Sequence, residues 1–205
     1  PFDGAVRNAV VDGADIGVAI QDENGRIDLN YASRNTLHDL FRAAGAEPAL
    51  ADALADRVID WRSPKTTRSL DGATAQDYAD AGYGWRPRGA PFQSVDELGL
   101  VMGMTPALLA TVVPALTVYS HSFYFDMRVA PKLALLTIPG MSETEASREI
   151  DARDAAADAS SMPAQEGHAY TITAQARLGQ TLFTRRTTVL VTGDARHPVL
   201  FVDWR

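Results

Sequence analysis

The sequence predicts an α+β fold, one antiparallel sheet carrying a large all-α insertion, and three observations predict it. Period-two alternation occupies both ends of the chain, through Ile16, Val18 and Ile20 and again through Tyr170, Ile172 and Ala174. Helical periodicity fills the middle. Turn and cap residues such as Asn24-Gly25, Ser33, Gly45 and Ser63-Pro64 fall where the period changes or breaks. Strands, then a long run of helices, then strands again are accommodated by one sheet with an inserted helical domain. The expected division is 1–30 with 167–205 for the sheet domain and 31–166 for the helical one.

In chain order, residues 1–12 place Val6, Val10 and Val11 at near-helical spacing and read as the tail of a longer helix. Ile16, Val18 and Ile20, the turn Asp22-Glu23-Asn24-Gly25, then Ile27 and Leu29 read as a β-hairpin, with Gly25 supplying positive φ. Ser33 is an N-cap for a helix with Leu37, Leu40 and Phe41 on one face, stopped at Gly45. Leu50, Leu54, Val58 and Trp61 form the stripe of a second helix over 49–61, ended by Ser63-Pro64. Residues 63–91 are rich in Gly and Pro and read as a long loop pinned by Tyr78, Tyr83 and Trp85.

Ser94-Val95-Asp96-Glu97 fits a capping box ahead of Leu98 and Val101. Thr105-Pro106 starts the next helix, through Leu108, Leu109 and Val112. Leu116 to Tyr119 exits it in extended form. A second unit follows, from Leu133, Leu135 and Leu136 through the turn Ile138–Ser142 into a polar helix with Ala146 and Ile150. Gly103-Met104-Thr105 and Gly140-Met141-Ser142 match as two copies of a helix–turn–helix device. Residues 151–167 read as a linker. The chain closes with strands over 170–178, 183–191 and 199–204, separated by turns at Gly179-Gln180 and Gly193-Asp194.

Composition narrows the function. The chain has 205 residues, 46% of them hydrophobic, which suffices for a substantial core. A net charge of −7 disfavours a phosphate backbone as partner. With no cysteine, disulfides and thiolate chemistry are excluded. No stretch approaches the roughly 20 apolar residues that span a bilayer.

Motifs for catalysis are missing. His38, His121, His168 and His197 share no metal-binding spacing. Ser120-His121-Ser122 are neighbours in an extended segment and so point to opposite faces. Gly82-Tyr83-Gly84 lacks the strand-to-helix setting of a phosphate loop and reads as a turn. Asp151, Asp154 and Asp158 recur at helical spacing, as on a solvated face. Asp71 to Asp77, with Gly72 inside, offers hard oxygens to a calcium ion, which takes about six to eight. The spacing is not that of an EF-hand, and a solvated acidic loop is the competing reading. Leu136 to Met141 looks like the hairpin of helix-hairpin-helix DNA-binding proteins, but Ser142-Glu143-Thr144-Glu145 supplies acids where a phosphate would need bases. Nucleic-acid binding through that hairpin is the alternative function; a hydrolase built on loop carboxylates is a further rival.

Several segments in order carry a family resemblance: Gln21 to Asn30 with Ala32-Ser33; Ile59-Asp60-Trp61-Arg62; Pro91 to Leu98 running into Gly103-Met104-Thr105-Pro106; Leu116 to Ser120; and the closing Val202-Asp203-Trp204-Arg205. Together they resemble minor pseudopilin K of the type II secretion system, general secretion pathway protein K, along nearly the whole chain. The resemblance implies a pilin-like α/β fold with an inserted domain of two helix-turn-helix (SAM-like) repeats. It implies a non-enzymatic periplasmic protein held in the inner membrane by an N-terminal helix that is not in this sequence beyond its last turns. Val6, Val10 and Val11 would then face neighbouring subunits. The implied partners are minor pseudopilins of types I and J, with type H and the major pseudopilin, in a complex that caps the pseudopilus tip. Calcium is implied in the loop after Trp61-Arg62. There the sequence departs from the family, with Lys65, Thr66, Thr67 and Arg68 among the acids. It departs again at Asp126 to Pro131, where the family's Asn-Thr-Ala-Pro stretch keeps its last two residues.

Overall fold

Five antiparallel strands make the main sheet of the computed structural model, in the order β1-β2-β5-β6-β7. They are β1 Asp3–Val11, β2 Ala14–Asp22, β5 Ala169–Leu178, β6 Thr181–Val191 and β7 Val199–Trp204. The structure describes residues 2–11, 14–64, 68–157, 163–178 and 180–204; Lys65, Thr66, Thr67, Asp158, Gly179 and Arg205 of the expectations above lie outside them. Among the described residues six α-helices lie between β2 and β5: α1 Arg34–Ala43, α2 Pro48–Arg62, α3 Ala75–Asp80, α4 Pro106–Val112, α5 Lys132–Leu135 and α6 Glu143–Ala157. The chain leaves the sheet at Asp22 and re-enters it at Ala169, so the two sheet strands that flank all the helices are direct neighbours.

Two expectations about the N-terminal part are overturned. The first residues are strand, not helix. An isolated helix this short is marginal. Pairing along β2, from Val6 opposite Ala19 to Val11 opposite Ala14, satisfies the backbone. The expected hairpin does not form either. After Asp22 caps a single 3-10 turn (Glu23–Gly25), the strand β3 (Ile27–Asp28) turns away from β2 and pairs in parallel with β4 (Leu116–Thr117). Gly25 is not at positive φ. Its missing side chain leaves room for the carbonyl of Val129, which any Cβ would strike.

The helical body follows its local signals closely. The Ser33 hydroxyl accepts from the Thr36 amide, and α1 ends at Ala44 with Gly45 beyond it. Leu37, Leu40 and Phe41 are fully buried against Leu54, Val58 and Trp61 of α2. Burying each such side chain contributes about 1.5–3 kcal/mol. Arg34 ties the two helices together, Nε to Asp56 at 2.6 Å and Nη2 to Asp52 at 3.0 Å. Within the predicted loop over 63–91 lies the unpredicted helix α3. It is fixed by a capping box between Thr74 and Asp77 and by Tyr78, which is fully buried and accepts from the Met102 amide at 2.8 Å. Tyr83 and Trp85 pin the loop as expected, Trp85 Nε1 donating to the Leu100 carbonyl.

The capping box at Ser94 is not made. Val95–Leu100 is a 3-10 segment without a side-chain cap. Glu97 instead accepts from the Gln93 amide and from Arg88. Gly103 and Gly140 both stand at positive φ, +90° and +83°, ahead of α4 and α6, so the two predicted turns share one backbone device.

Candidate assembly surfaces

The sheet has two unlike faces. Register places Ile16, Val18 and Ile20 of β2 beside Ala176, Ala174 and Ile172 of β5, and these beside Phe183, Arg185 and Thr187 of β6. Val11 and Ala9 of β1 join this face at one edge, and Phe201 and Trp204 of β7 at the other. The opposite face is the more polar one, with Asn8, Asp15, Gln21, Thr173, Gln175 and Thr188, although Val6, Val10, Leu182 and Leu200 also stand exposed on it.

The helical body covers the base of the polar face. Gln21 is 5% exposed and donates to the Val129 carbonyl at 2.9 Å, and the hydroxyls of Thr171 and Thr188 meet at 2.8 Å in a buried pair. On the apolar face cover is confined to the same end. Tyr170 is buried under Phe2, their rings 5.1 Å apart, and its hydroxyl accepts from Gln165. Beyond that, Phe183, Phe201 and Trp204 are 58%, 64% and 66% exposed. Antiparallel sheets ordinarily pack one face on a core and keep polar residues on the other. Here the helices touch the polar face and the greasy one is bare.

Val6, Val10 and Val11 are all exposed, but strand geometry divides them. Val6 and Val10 lie on the polar face and Val11 on the apolar one, where a helix would have stacked all three. β1 and β7 are the two edges of the sheet, each with one row of backbone groups unpaired within it. The exposed aromatic residues of β7 were missed as interface candidates. Their signal was present: Phe201 and Trp204, exposed in an edge strand, alternate poorly with polar residues.

Among its described residues the loop after α2 does not fit a calcium cage. The Asp77 carboxylate accepts from the amide and hydroxyl of Thr74 at 2.7 Å each and pairs with Arg68 at 3.4 Å. These bonds to Thr74 and the cation hold its pKa below the usual carboxylate range. Asp71 is exposed and contributes its amide to Asp56. The loop is organised instead by two carboxylates of α2. Asp60 accepts from the amides of Ser69 and Ala73 and from the Ser69 hydroxyl, and packs where Gly72 has no side chain. Among the described residues no group of three or more His, Asp or Glu side chains is placed to hold a metal ion.

The other polar candidates serve the fold. His38, His168 and His197 each meet a different carboxylate, Asp39, Asp22 and Asp194. The backbone amide of His121 donates to Asp28, as does the Ser120 hydroxyl, and the His121 ring lies edge-on to Tyr31. Asp28 is buried, and burial pushes its pKa up. The Gln21–Asn30 stretch is a string of such bonds. Glu23 pairs with Arg26 at 2.8 Å, and the Asn30 amide clamps the backbone of Phe92 in both directions. Arg62 reaches back to the Leu29 and Ala32 carbonyls.

The fold is similar to a chain in the crystal structure of the GspK-GspI-GspJ complex from the enterotoxigenic Escherichia coli type 2 secretion system. The TM-score is 0.68 at 11% sequence identity, covering 100% of this chain and 84% of that one. No curated protein sequence matches. Neither comparison lends support to nucleic-acid binding. The family model of type II secretion system protein K matches residues 8–121, more than half of the sequence, and the chain therefore belongs to that family.

Proposed function

We propose that this chain is the periplasmic part of a minor pseudopilin, non-enzymatic, that joins I- and J-type subunits at the tip of the pseudopilus and caps it in support of protein export. Type H and the major pseudopilin would follow beneath it. Attachment to the inner membrane would run through a helix N-terminal to β1; among the described residues no helix is long and apolar enough to cross a membrane. The observation that carries the reading is the bare apolar face of the sheet, with Phe183, Phe201 and Trp204 standing in solvent. Large exposed apolar patches mark surfaces that other protein covers. The two open sheet edges add directional backbone pairing to that contact. The helices between β2 and β5 form an insertion that crowds one end of the sheet, where a further subunit would otherwise stack, and this suits a terminal position.

The test is to mix the chain with I- and J-type minor pseudopilins and weigh the products by light scattering. The reading expects a species with the summed mass of the three. Separate monomers, under conditions where the I and J subunits pair with each other, would overturn it.

A further inference from the structure

The loop after α2 and the stretch Arg86–Gly89 border a cavity of about 380 Å³. The chain as a whole carries a net charge of −7, yet this cavity has basic walls. Arg68 lines it from one side, and Arg86 and Arg88, two residues apart across Pro87, from the other. Ser63, Thr74 and Gln76 add polar groups, and among the described residues that line it Asp60 is the one carboxylate.

The guanidiniums have donors to give. Both oxygens of Asp60 are taken by the amides of Ser69 and Ala73 and by the Ser69 hydroxyl. Arg68 and Arg88 each use a single Nη1 on a carboxylate that does not line the cavity, Arg68 on Asp77 at 3.4 Å and Arg88 on Glu97 at 2.7 Å. A guanidinium carries five N–H donors in a planar fork, so most of each fork is left over. Arg86 is exposed and pairs with no carboxylate among the described residues.

The walls are set in advance. The backbone beside Arg68 is fixed where the Ser69 amide meets Asp60 at 3.0 Å. The Gly89 amide, in a residue at φ +65°, donates to the Trp61 carbonyl at 2.8 Å, and Trp85 ahead of Arg86 is tied to the Leu100 carbonyl at 2.8 Å. Donors held in place before a ligand arrives lose little entropy on binding it. Like charges gathered round one hollow disfavour each other, and an anion among them relieves that. Guanidinium forks match the paired oxygens of carboxylate and phosphate groups. The volume lies at the small end of ligand cavities, about 300–1,000 Å³, and so suits a compact molecule.

We infer that this cavity binds a small, multiply charged oxyanion, a polycarboxylate or a phosphate compound, whose oxygens are taken up by Arg68, Arg86 and Arg88. No residue of the sheet lines the cavity, so the inference does not depend on the assembly reading.

The test is isothermal titration calorimetry of the whole chain with citrate and, separately, with pyrophosphate, at neutral pH and low salt. The inference expects a one-to-one complex with a Kd below about 1 mM for at least one of them, weakened as salt is added. Which of the two binds tells a carboxylate ligand from a phosphate one. Two variants separate the site from general attraction. Arg86→Gln removes an exposed guanidinium and should weaken binding about fivefold or more with an unchanged melting temperature. Arg148→Gln takes the same charge from α6, away from the cavity, and should bind as the parent does. A Kd above about 1 mM for both anions would overturn the inference. So would equal losses in the two variants, or undiminished binding by Arg86→Gln.

Discussion

The helical body and the sheet solve burial in different ways. In the first, Leu37, Leu40, Phe41, Leu54, Val58 and Tyr78 are wholly buried, and carboxylates of α2 tie down the loop above them. The body closes over its own core. In the second, backbone pairing links all five strands and leaves two open edges, and the apolar side of those strands carries its largest residues into solvent. A region with its core inside depends on its own packing for stability. A region with its core outside has packing left to make, and on the proposed function that difference separates the part that folds from the part that would join.

The largest expected effect sharpens this contrast. Phe41→Ala should cost about 3–5 kcal/mol in chemical denaturation, because it opens a cavity in a closed core. Phe201→Ser, by the same measurement, should stay within about 0.5 kcal/mol of the parent while weakening association with the I- and J-type subunits. A Phe201→Ser chain as damaged as the Phe41→Ala one would break the comparison. Next is Asp60→Ala, which strands the amides of Ser69 and Ala73. A loss of about 1–3 kcal/mol is expected, with early proteolysis between α2 and α3. Ser33→Ala removes one N-cap and should cost about 1 kcal/mol, read as a melting temperature lower by a few degrees.

Acid should weaken the helix caps. Asp77 and Glu145 have folded pKa values below their ordinary ones, through bonds from Thr74 and from Ser142. Stability linked to a lowered pKa is present above the unfolded value, near about 4, and is lost as pH falls through the folded one. Asp28 runs the other way, since burial raises its pKa and its protonation favours the fold. Thermal melts through this acid range should therefore fall for the parent and fall less for Asp77→Asn. The smallest effect expected is that of calcium. With the Asp77 oxygens engaged by Thr74 and Arg68, melting temperature should not change between excess calcium and excess chelator.

Legibility in the sequence tracked the range of the interaction. Ser33, Gly45, Thr105 and Gly140 act within a turn of themselves, and each did what its residue type predicts. β5 was readable because alternation runs from Tyr170 to Leu178, β6 because it is rich in Thr and Val, and all three strands because turn residues bound them. β1 was misread because Val6, Val10 and Val11 fit a weak helical period, while the pairing that decides the matter lies in β2. The hairpin was misread because β3 finds its partner at Leu116, far along the chain. Asp60 and Asp56 were not seen as organisers of the loop, since nothing local distinguishes a helix carboxylate that will meet amides nine or more residues on.

Hydrogen exchange, taken on the chain alone and again in complex with I- and J-type subunits, tests the division most directly. Slower exchange confined to the sheet strands, with α1 and α2 equally protected in both states, is the predicted pattern. Protection gained over the helices with the strands of the sheet unchanged would contradict it.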